Sequence, residues 1–337
     1  MPEHVLHLDF FGSGIQVTAN TGTWIDGMAR AFPEFVTTAS RQGGNSFRVR
    51  IRETDRLPDA PDFPMTWEGI MSDGFAGRIY ESDDAAFLIV EDKVAALLAH
   101  AEGRAEVYTK PGSEREFFVS ASIPIVDSAL AIENQHLVHA GCLVGERSGK
   151  AILICAHSGA GKTTTSIALA RRGFALMTDD ASVIVPGNGQ PRVWALPRDL
   201  KVHRKTAELL PWIGPLADVW DANGEQGIPV AALRDRMAVI DPEPVELGAI
   251  VLLGTRSAAG HSLSPMSKPE MLVALAHDNV AQRTAGMTAK ARHQFDVLAD
   301  VVSRVPGFML NAGEELDTLP ELMQQVLHGR AASECAE

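Results

Sequence analysis

A chain of 337 residues is long for one hydrophobic core, which favours two units or one large α/β unit with an appendage. Apolar residues make up 45% and charged residues 22%, values that fit a globular protein and exclude a disordered or fibrous one. The formal charge of −13 argues against a nucleic-acid partner, because binding a phosphate backbone relies on clustered Lys and Arg.

Cys142, Cys155 and Cys335 are too few and too scattered for a disulfide framework or a zinc cluster. Two of them lie in apolar runs, so buried, reduced thiols are expected. The start, MPEHVLHLDFF, carries acidic residues and lacks both a basic leader and an uninterrupted apolar stretch. No run is long enough to span a bilayer, and a cytoplasmic protein is expected by default.

Residues 1–130 form an uneven region, expected to be a smaller α+β N-terminal domain whose role is unreadable. Short apolar runs such as Phe87 to Val90 are separated by turn-rich pieces like Arg41 to Ser46. Three prolines and two aspartates between Leu57 and Pro64 predict an extended loop, and a domain boundary could lie there or later.

From about Gln135 the pattern sharpens into apolar strands and amphipathic helices, the sign of a mostly parallel or mixed α/β sheet, and the second domain is placed at 131–337. Leu137 to Val144 reads as one strand, with alternation setting Leu137, His139, Gly141 and Leu143 on one face. A turn at Glu146 to Lys150 leads to a strand at Ala151 to Cys155. A helix is predicted from Lys162, closing at Arg171, Arg172 and Gly173 as C-terminal capping prefers. Strands follow at Phe174 to Met177, Ser182 to Val185, Arg192 to Leu196 and Ala249 to Leu253. Leu319, Leu322, Met323 and Val326 recur at helical spacing.

The strongest chemical signal is Ala156-His-Ser-Gly-Ala-Gly-Lys-Thr163, which nearly matches Gly, four residues, Gly-Lys-Ser/Thr, with Ala156 at the first glycine. Such a turn wraps its backbone N–H groups around a polyphosphate at the positive end of a helix. Ser158, Gly159, Ala160, Gly161, Lys162, Thr163 and Thr164 are the expected nucleotide contacts. Lys162 would reach the β- and γ-phosphates of ATP, and the Thr163 hydroxyl would join the shell of Mg2+. His157, at a variable position of the turn, is expected to face solvent.

Asp179 and Asp180 follow the next strand, seventeen residues after Lys162. Strand ends carry the ligand site in an open α/β sheet, so both carboxylates are expected to face the phosphates. A tandem pair allows a division of labour: Asp180 on the metal with Thr163, Asp179 accepting the proton of an attacking hydroxyl. His139, in the strand before the turn, could hydrogen-bond and tune Asp179. A lone strand histidine is otherwise a satisfied core residue.

Taken together, His139-Ala140, Ser158 to Thr163 and Arg171 to Asp180 resemble the catalytic core of the HPr kinase/phosphorylase family, over about Gln135 to Val185. The resemblance implies a mixed-sheet nucleotide domain related to that of phosphoenolpyruvate carboxykinase. It makes Asp179 the catalytic base, Asp180 and Thr163 the magnesium ligands, and His139 the partner of Asp179, and it allows a homo-oligomer. The N-terminal region does not match the domain that precedes the core in the bifunctional enzymes, and no Arg-Gly-Leu-Gly-like stretch follows. Shorter relatives, encoded with lasso-peptide biosynthesis, resemble the chain better, and they phosphorylate the C-terminal serine of a precursor peptide.

The expected activity is therefore transfer of phosphoryl from ATP to a serine or threonine hydroxyl of a peptide or small protein, with no membrane involved. An HPr(Ser) regulator, a small-metabolite kinase and an ATPase switch with water as acceptor remain alternatives. One of Arg198, Lys201, Arg204, Arg234 and Arg236 is expected to stabilise the transferring charge.

Overall fold

Alternating polar and apolar residues dictate the first half of the chain. In Phe47–Glu53 the aromatic and aliphatic residues Phe47, Val49 and Ile51 are buried, and the intervening Arg48, Arg50 and Arg52 are exposed. The computed structural model describes residues 3–38, 46–71, 74–157, 159–217, 219–221, 224–258, 260–280 and 286–327. Contacts divide the chain into two units, Met1–His136 with Ala281–His293, and Leu137–Val280 with Gln294–Glu337.

The first unit holds β1 (His4–Phe10), β2 (Ser13–Ala19), β3 (Val36–Thr37), β4 (Phe47–Glu53), β5 (Met65–Ile70), β6 (Ala76–Glu81), β7 (Ala85–Val90), β8 (Val94–Ala99) and β9 (Arg104–Thr109). They make one sheet in the order β3-β1-β2-β4-β9-β8-β7-β6-β5. The β2–β4 and β4–β9 pairs are parallel, and the others antiparallel. Helix α1 (Gly22–Ala31) packs on β1 and β2. A short α2 (Glu114–Glu116) runs through a π turn at Phe117–Ala121 into α3 (Ser122–Ile132), which packs on β2 and β4. Trp24 and Phe117 meet edge to face at 5.4 Å.

Residues 54–64 contain neither helix nor strand, as the prolines require. They are not a boundary. Leu57, Ala60 and Phe63 pack against Phe87, Ile89 and Ala95 inside the first unit. Distant residues join this unit through an ion pair of Lys290 with Asp127 and through the 2.7 Å contact of His293 Nε2 with Asn134 Oδ1.

The second unit is a mixed α/β arrangement around another nine-stranded sheet. Its strands are β10 (His136–His139), β11 (Gly141–Gly145), β12 (Ala151–Ala156), β13 (Phe174–Thr178), β14 (Ala181–Val185), β15 (Arg192–Ala195), β18 (Val245–Leu253), β19 (Ser262–Pro265) and β20 (Gly307–Asn311), while β16 (Leu200–His203) and β17 (Glu225–Ile228) pair separately. The order is β10-β14-β15-β18-β12-β11-β13, with β20 also on β18 and β19 on β20. Strands β12 and β20 both run parallel to β18. Every residue of β12 is buried, as expected of a central strand covered on both faces. The helices are α4 (Lys162–Ala170), α5 (Arg204–Leu209), α6 (Lys268–Asn279), α8 (Leu319–Leu327) and, from Gln294 onward, α7 (Ala289–Arg304).

One difference from the sequence pattern bears on the site. The single strand expected over 137–144 breaks at Ala140, whose N–H faces the carbonyls of Val138 at 3.0 Å and Asp180 at 3.1 Å. β10 then pairs with β14, and β11 lies between β12 and β13. The predicted run of alternating faces across 137–143 therefore ends at this break.

Candidate functional site

Parallel strands leave their C-terminal ends at one edge of a sheet, where the following turns converge. β12 ends at Ala156, and α4 begins at Lys162. Gly159 and Gly161 take left-handed backbone angles, φ 79° and 97°, with Gly161 as the N-cap of α4. A Cβ built on either glycine meets nothing within 4 Å, so the conformation, not crowding, requires glycine there. Ser158 lies outside the described residues.

β13 brings Asp179 and Asp180 to the same edge. Asp179 turns toward α4 and accepts a hydrogen bond from Thr163 Oγ1 at 2.7 Å. Asp180 turns toward β10, where its Oδ1 is 2.8 Å from His139 Nδ1 and 3.2 Å from Lys162 Nζ. Lys162 Nζ also lies 3.0 Å from His139 Nε2. An ammonium only donates, so Nε2 accepts and His139 presents its Nδ1–H to Asp180.

One expected pairing is thereby corrected: His139 is on Asp180, not Asp179. The Thr163 hydroxyl, expected with Asp180 in a magnesium shell, bonds directly to Asp179. The tandem acids occupy the bent two-residue link between β13 and β14, where each meets a different neighbour.

The difference in neighbours also separates their electrostatics. Asp179 is 4% exposed; burial pushes its carboxyl up to about 6, with the Thr163 hydrogen bond pulling the other way. Burial opposes ionisation of Asp180 as well, but the His139 hydrogen bond and the Lys162 charge outweigh it and hold that carboxyl below the usual range. Sequence alone offered no means of ranking the two acids.

Several supporting residues carry no local signal. Asn279, at the end of α6, accepts from the His139 backbone N–H at 2.6 Å and donates to Leu275 O at 2.9 Å. It lies 140 residues from His139. Thr206 on α5 meets Thr164 on α4, oxygen to oxygen, at 2.9 Å. Gly141 allows close approach, since a Cβ there would stand 3.0 Å from Ser166 Oγ and 3.4 Å from Asp179 O. Ser182 Oγ holds the strand break by donating to Ala140 O at 2.7 Å.

Of the five candidate cations, Arg204 starts the helix tied to α4 through Thr206, and its guanidinium lies 5.7 Å from the centre of the Trp220 ring. Arg234 pairs with Asp241 at 2.5 Å, Lys201 and Arg236 are exposed, and Arg198 is half-buried. Cys142 and Cys155 are buried free thiols pushed up to about 12 by burial, too weakly acidic for thiolate chemistry at neutral pH. Cys335 lies outside the described residues. Among those described, no helix is long and apolar enough to cross a membrane.

The fold and site define an α/β unit with a glycine-rich turn, a helix N-terminus, a lysine and two carboxylates at one sheet edge. No protein-family model matches the chain, and no curated protein matches it. Among solved structures, the chain is similar to the "Structure of the Hpr(Ser) kinase/phosphatase from Coxiella burnetii", at 15% identity and a TM-score of 0.31, over 58% of this chain and 97% of that one. A likeness of that degree says nothing about activity, and the functional reading rests on the site.

Proposed function

We propose that the second unit is an ATP- and Mg2+-dependent phosphotransferase acting on a serine or threonine hydroxyl of a peptide or small protein. The observation that carries this reading is the convergence of Lys162, Thr163, Asp179, Asp180 and His139 beside the Gly159–Gly161 turn. The residues fit the ligands they would hold. The turn has open space at both glycines, and the Thr163 hydroxyl and Asp179 carboxylate supply the hard oxygens that Mg2+ prefers. When bound, ATP and magnesium would supply the phosphoryl group and neutralise its charge.

In this reading the backbone of Gly159 to Gly161, with Thr164 at the helix start, holds phosphate oxygens, and Lys162 donates to them. Asp179 and Thr163 hold the metal. Asp180, oriented by the Nδ1–H of His139, takes the proton of the acceptor hydroxyl, a role worth about 10²–10⁴ in rate. The raised pKa of Asp179 favours the reverse assignment, with Asp179 as base and Asp180 on the metal, because a base titrating near 6 is better matched to neutral pH. The Thr163–Asp179 contact favours the first.

Water as acceptor, which would make the chain an ATPase switch, would give up its proton to the same Asp180 and His139, so the acceptor is decided by the assay and not by these two residues. The resemblance to kinases that modify a precursor peptide directs the first assay to peptides ending in serine. A phosphocarrier protein and small hydroxyl metabolites serve as the comparison. The test is transfer of label from γ-labelled ATP with Mg2+, measured alongside free phosphate. Label on a peptide or protein hydroxyl supports the reading, and phosphate release with no labelled acceptor sinks it.

A further inference from the structure

A second cluster of ligating side chains lies on the second unit, at the mouth of the glycine turn. His157 is the first residue past β12, and His277 and Asp278 occupy the last turn of α6. Asp278 stands between the two rings, with Oδ1 2.9 Å from His277 Nδ1 and Oδ2 3.7 Å from His157 Nδ1. The rings meet edge to face at 5.5 Å and 84°. One ligand atom from each residue lies within 4.8 Å of the other two, and no other group of this kind occurs among the described residues.

Two imidazoles and a carboxylate form a mixed nitrogen and oxygen set that suits Zn2+ and similar transition ions. Mg2+ prefers oxygen alone, so this cluster is chemically distinct from the one at Thr163 and Asp179. Bonds of about 2.0–2.1 Å to zinc put tetrahedral ligands about 3.3 Å apart, which small rotations of these exposed rings can reach. Three protein ligands leave the fourth position to water. The cluster also sits at the C-terminal end of a twelve-residue helix, where the carbonyl ends of the peptide dipoles favour a cation. The start of that helix is fixed by a reciprocal cap between Ser267 and Glu270.

We propose that His157, His277 and Asp278 bind a zinc-type divalent cation that fastens the glycine turn to the end of α6. The placement gives the ion a lever on the neighbouring site. His157 leads directly into the turn, and Asn279, the residue after Asp278, holds the His139 backbone at 2.6 Å. One ion would therefore join two elements that frame Lys162 and Asp180. This inference concerns metal uptake and stands whether or not the chain transfers phosphoryl groups.

The test is calorimetric titration of Zn2+ into the chelator-treated full chain in excess Mg2+, without nucleotide. We expect one equivalent bound with a dissociation constant of about 10 μM or tighter. His277→Ala, Asp278→Asn and His157→Ala should each weaken it at least tenfold, with metal-free melting curves showing that the variants fold. Amide exchange at Gly159 to Gly161 should slow when Zn2+ is added to the wild type and stay unchanged in His277→Ala. Failure of the wild type to take up Zn2+ at 100 μM, or full uptake by all three variants, would overturn the site. Uptake with no slowing of exchange would overturn the fastening.

Discussion

Asp179 and Asp180 share a peptide bond, yet one carboxyl is pushed up to about 6 and the other is held below the usual range. Burial acts on both. The difference lies in their partners: a neutral hydroxyl faces Asp179, whereas an ammonium and an imidazole face Asp180. The proposed activity, which holds a metal and removes a proton, needs such a difference between otherwise identical groups.

The first prediction separates their roles. Asp180→Asn should cut phosphoryl transfer by about 10²–10⁴ while leaving Mg2+-dependent ATP binding within about threefold of wild type. Asp179→Asn should weaken that binding, because an amide is a poor magnesium ligand. Isothermal titration with and without Mg2+, together with single-turnover transfer, reads both. The reverse result, with binding lost in Asp180→Asn and retained in Asp179→Asn, returns the base to Asp179.

Stability should respond in the opposite sense to function. A carboxyl whose folded pKa exceeds its unfolded value favours the fold when protonated, so its contribution is full below about pH 4 and lost as pH rises through about 6. At pH 8 the buried charge of Asp179 costs about 2–3 kcal/mol, from a shift of roughly two pKa units. Asp179→Asn should therefore raise the urea midpoint at pH 8 and leave it nearly unchanged at pH 3.5. Asp180 has a depressed pKa and stabilises the fold above its unfolded value, with loss as pH falls. Asp180→Asn should lower the midpoint at pH 7.

Lys162 links the turn to both Asp180 and His139. Lys162→Met removes the ammonium and keeps most of the chain length, so ATP affinity should fall by about one to two orders of magnitude, equivalent to about 1.4–2.8 kcal/mol. Unchanged affinity would remove the lysine from the phosphate site.

Gly141 tests the packing behind the acids. A methyl there would press on Ser166 Oγ at 3.0 Å and on the Asp179 backbone at 3.4 Å. Gly141→Ala should cost about 1–3 kcal/mol by overpacking and lower transfer further by displacing Asp179. Adding Ser166→Ala removes the closer contact and should restore part of both losses, measured by denaturant melts and transfer rates.

Among the candidate cations, Arg204 is singled out because Thr206 ties its helix to Thr164. Arg204→Ala should reduce the transfer rate by about 10² or more, while Arg198, Lys201, Arg234 and Arg236 tolerate alanine within about threefold. Equal losses at Arg234, or none at Arg204, would move the cation elsewhere.

Much of the second unit was legible because its signals are local. The apolar run Ala151 to Cys155, Gly159 and Gly161, and the helix from Lys162 each follow from a few neighbouring residues. Strands at Phe174, Ser182 and Arg192 were read within a residue or two of their observed ends. The break at Ala140 was not, because its N–H bonds to Asp180 O, forty residues away. In the first unit, parallel pairing of β2 with β4 and of β4 with β9 joins strands that are distant in the chain, and alternation alone cannot name a strand's neighbour.

The sequence by itself determined that a glycine turn, a lysine, a hydroxyl and two carboxylates would be present, and in which order, because those features belong to short contiguous segments. Only the tertiary structure decided which acid meets Thr163 and which meets His139, that Asn279 holds the His139 backbone, and that His277 and Asp278 stand beside His157. Each of those contacts depends on the path of the sheet between segments far apart in sequence, and the different partners that divide Asp179 from Asp180 meet them only once that sheet has formed.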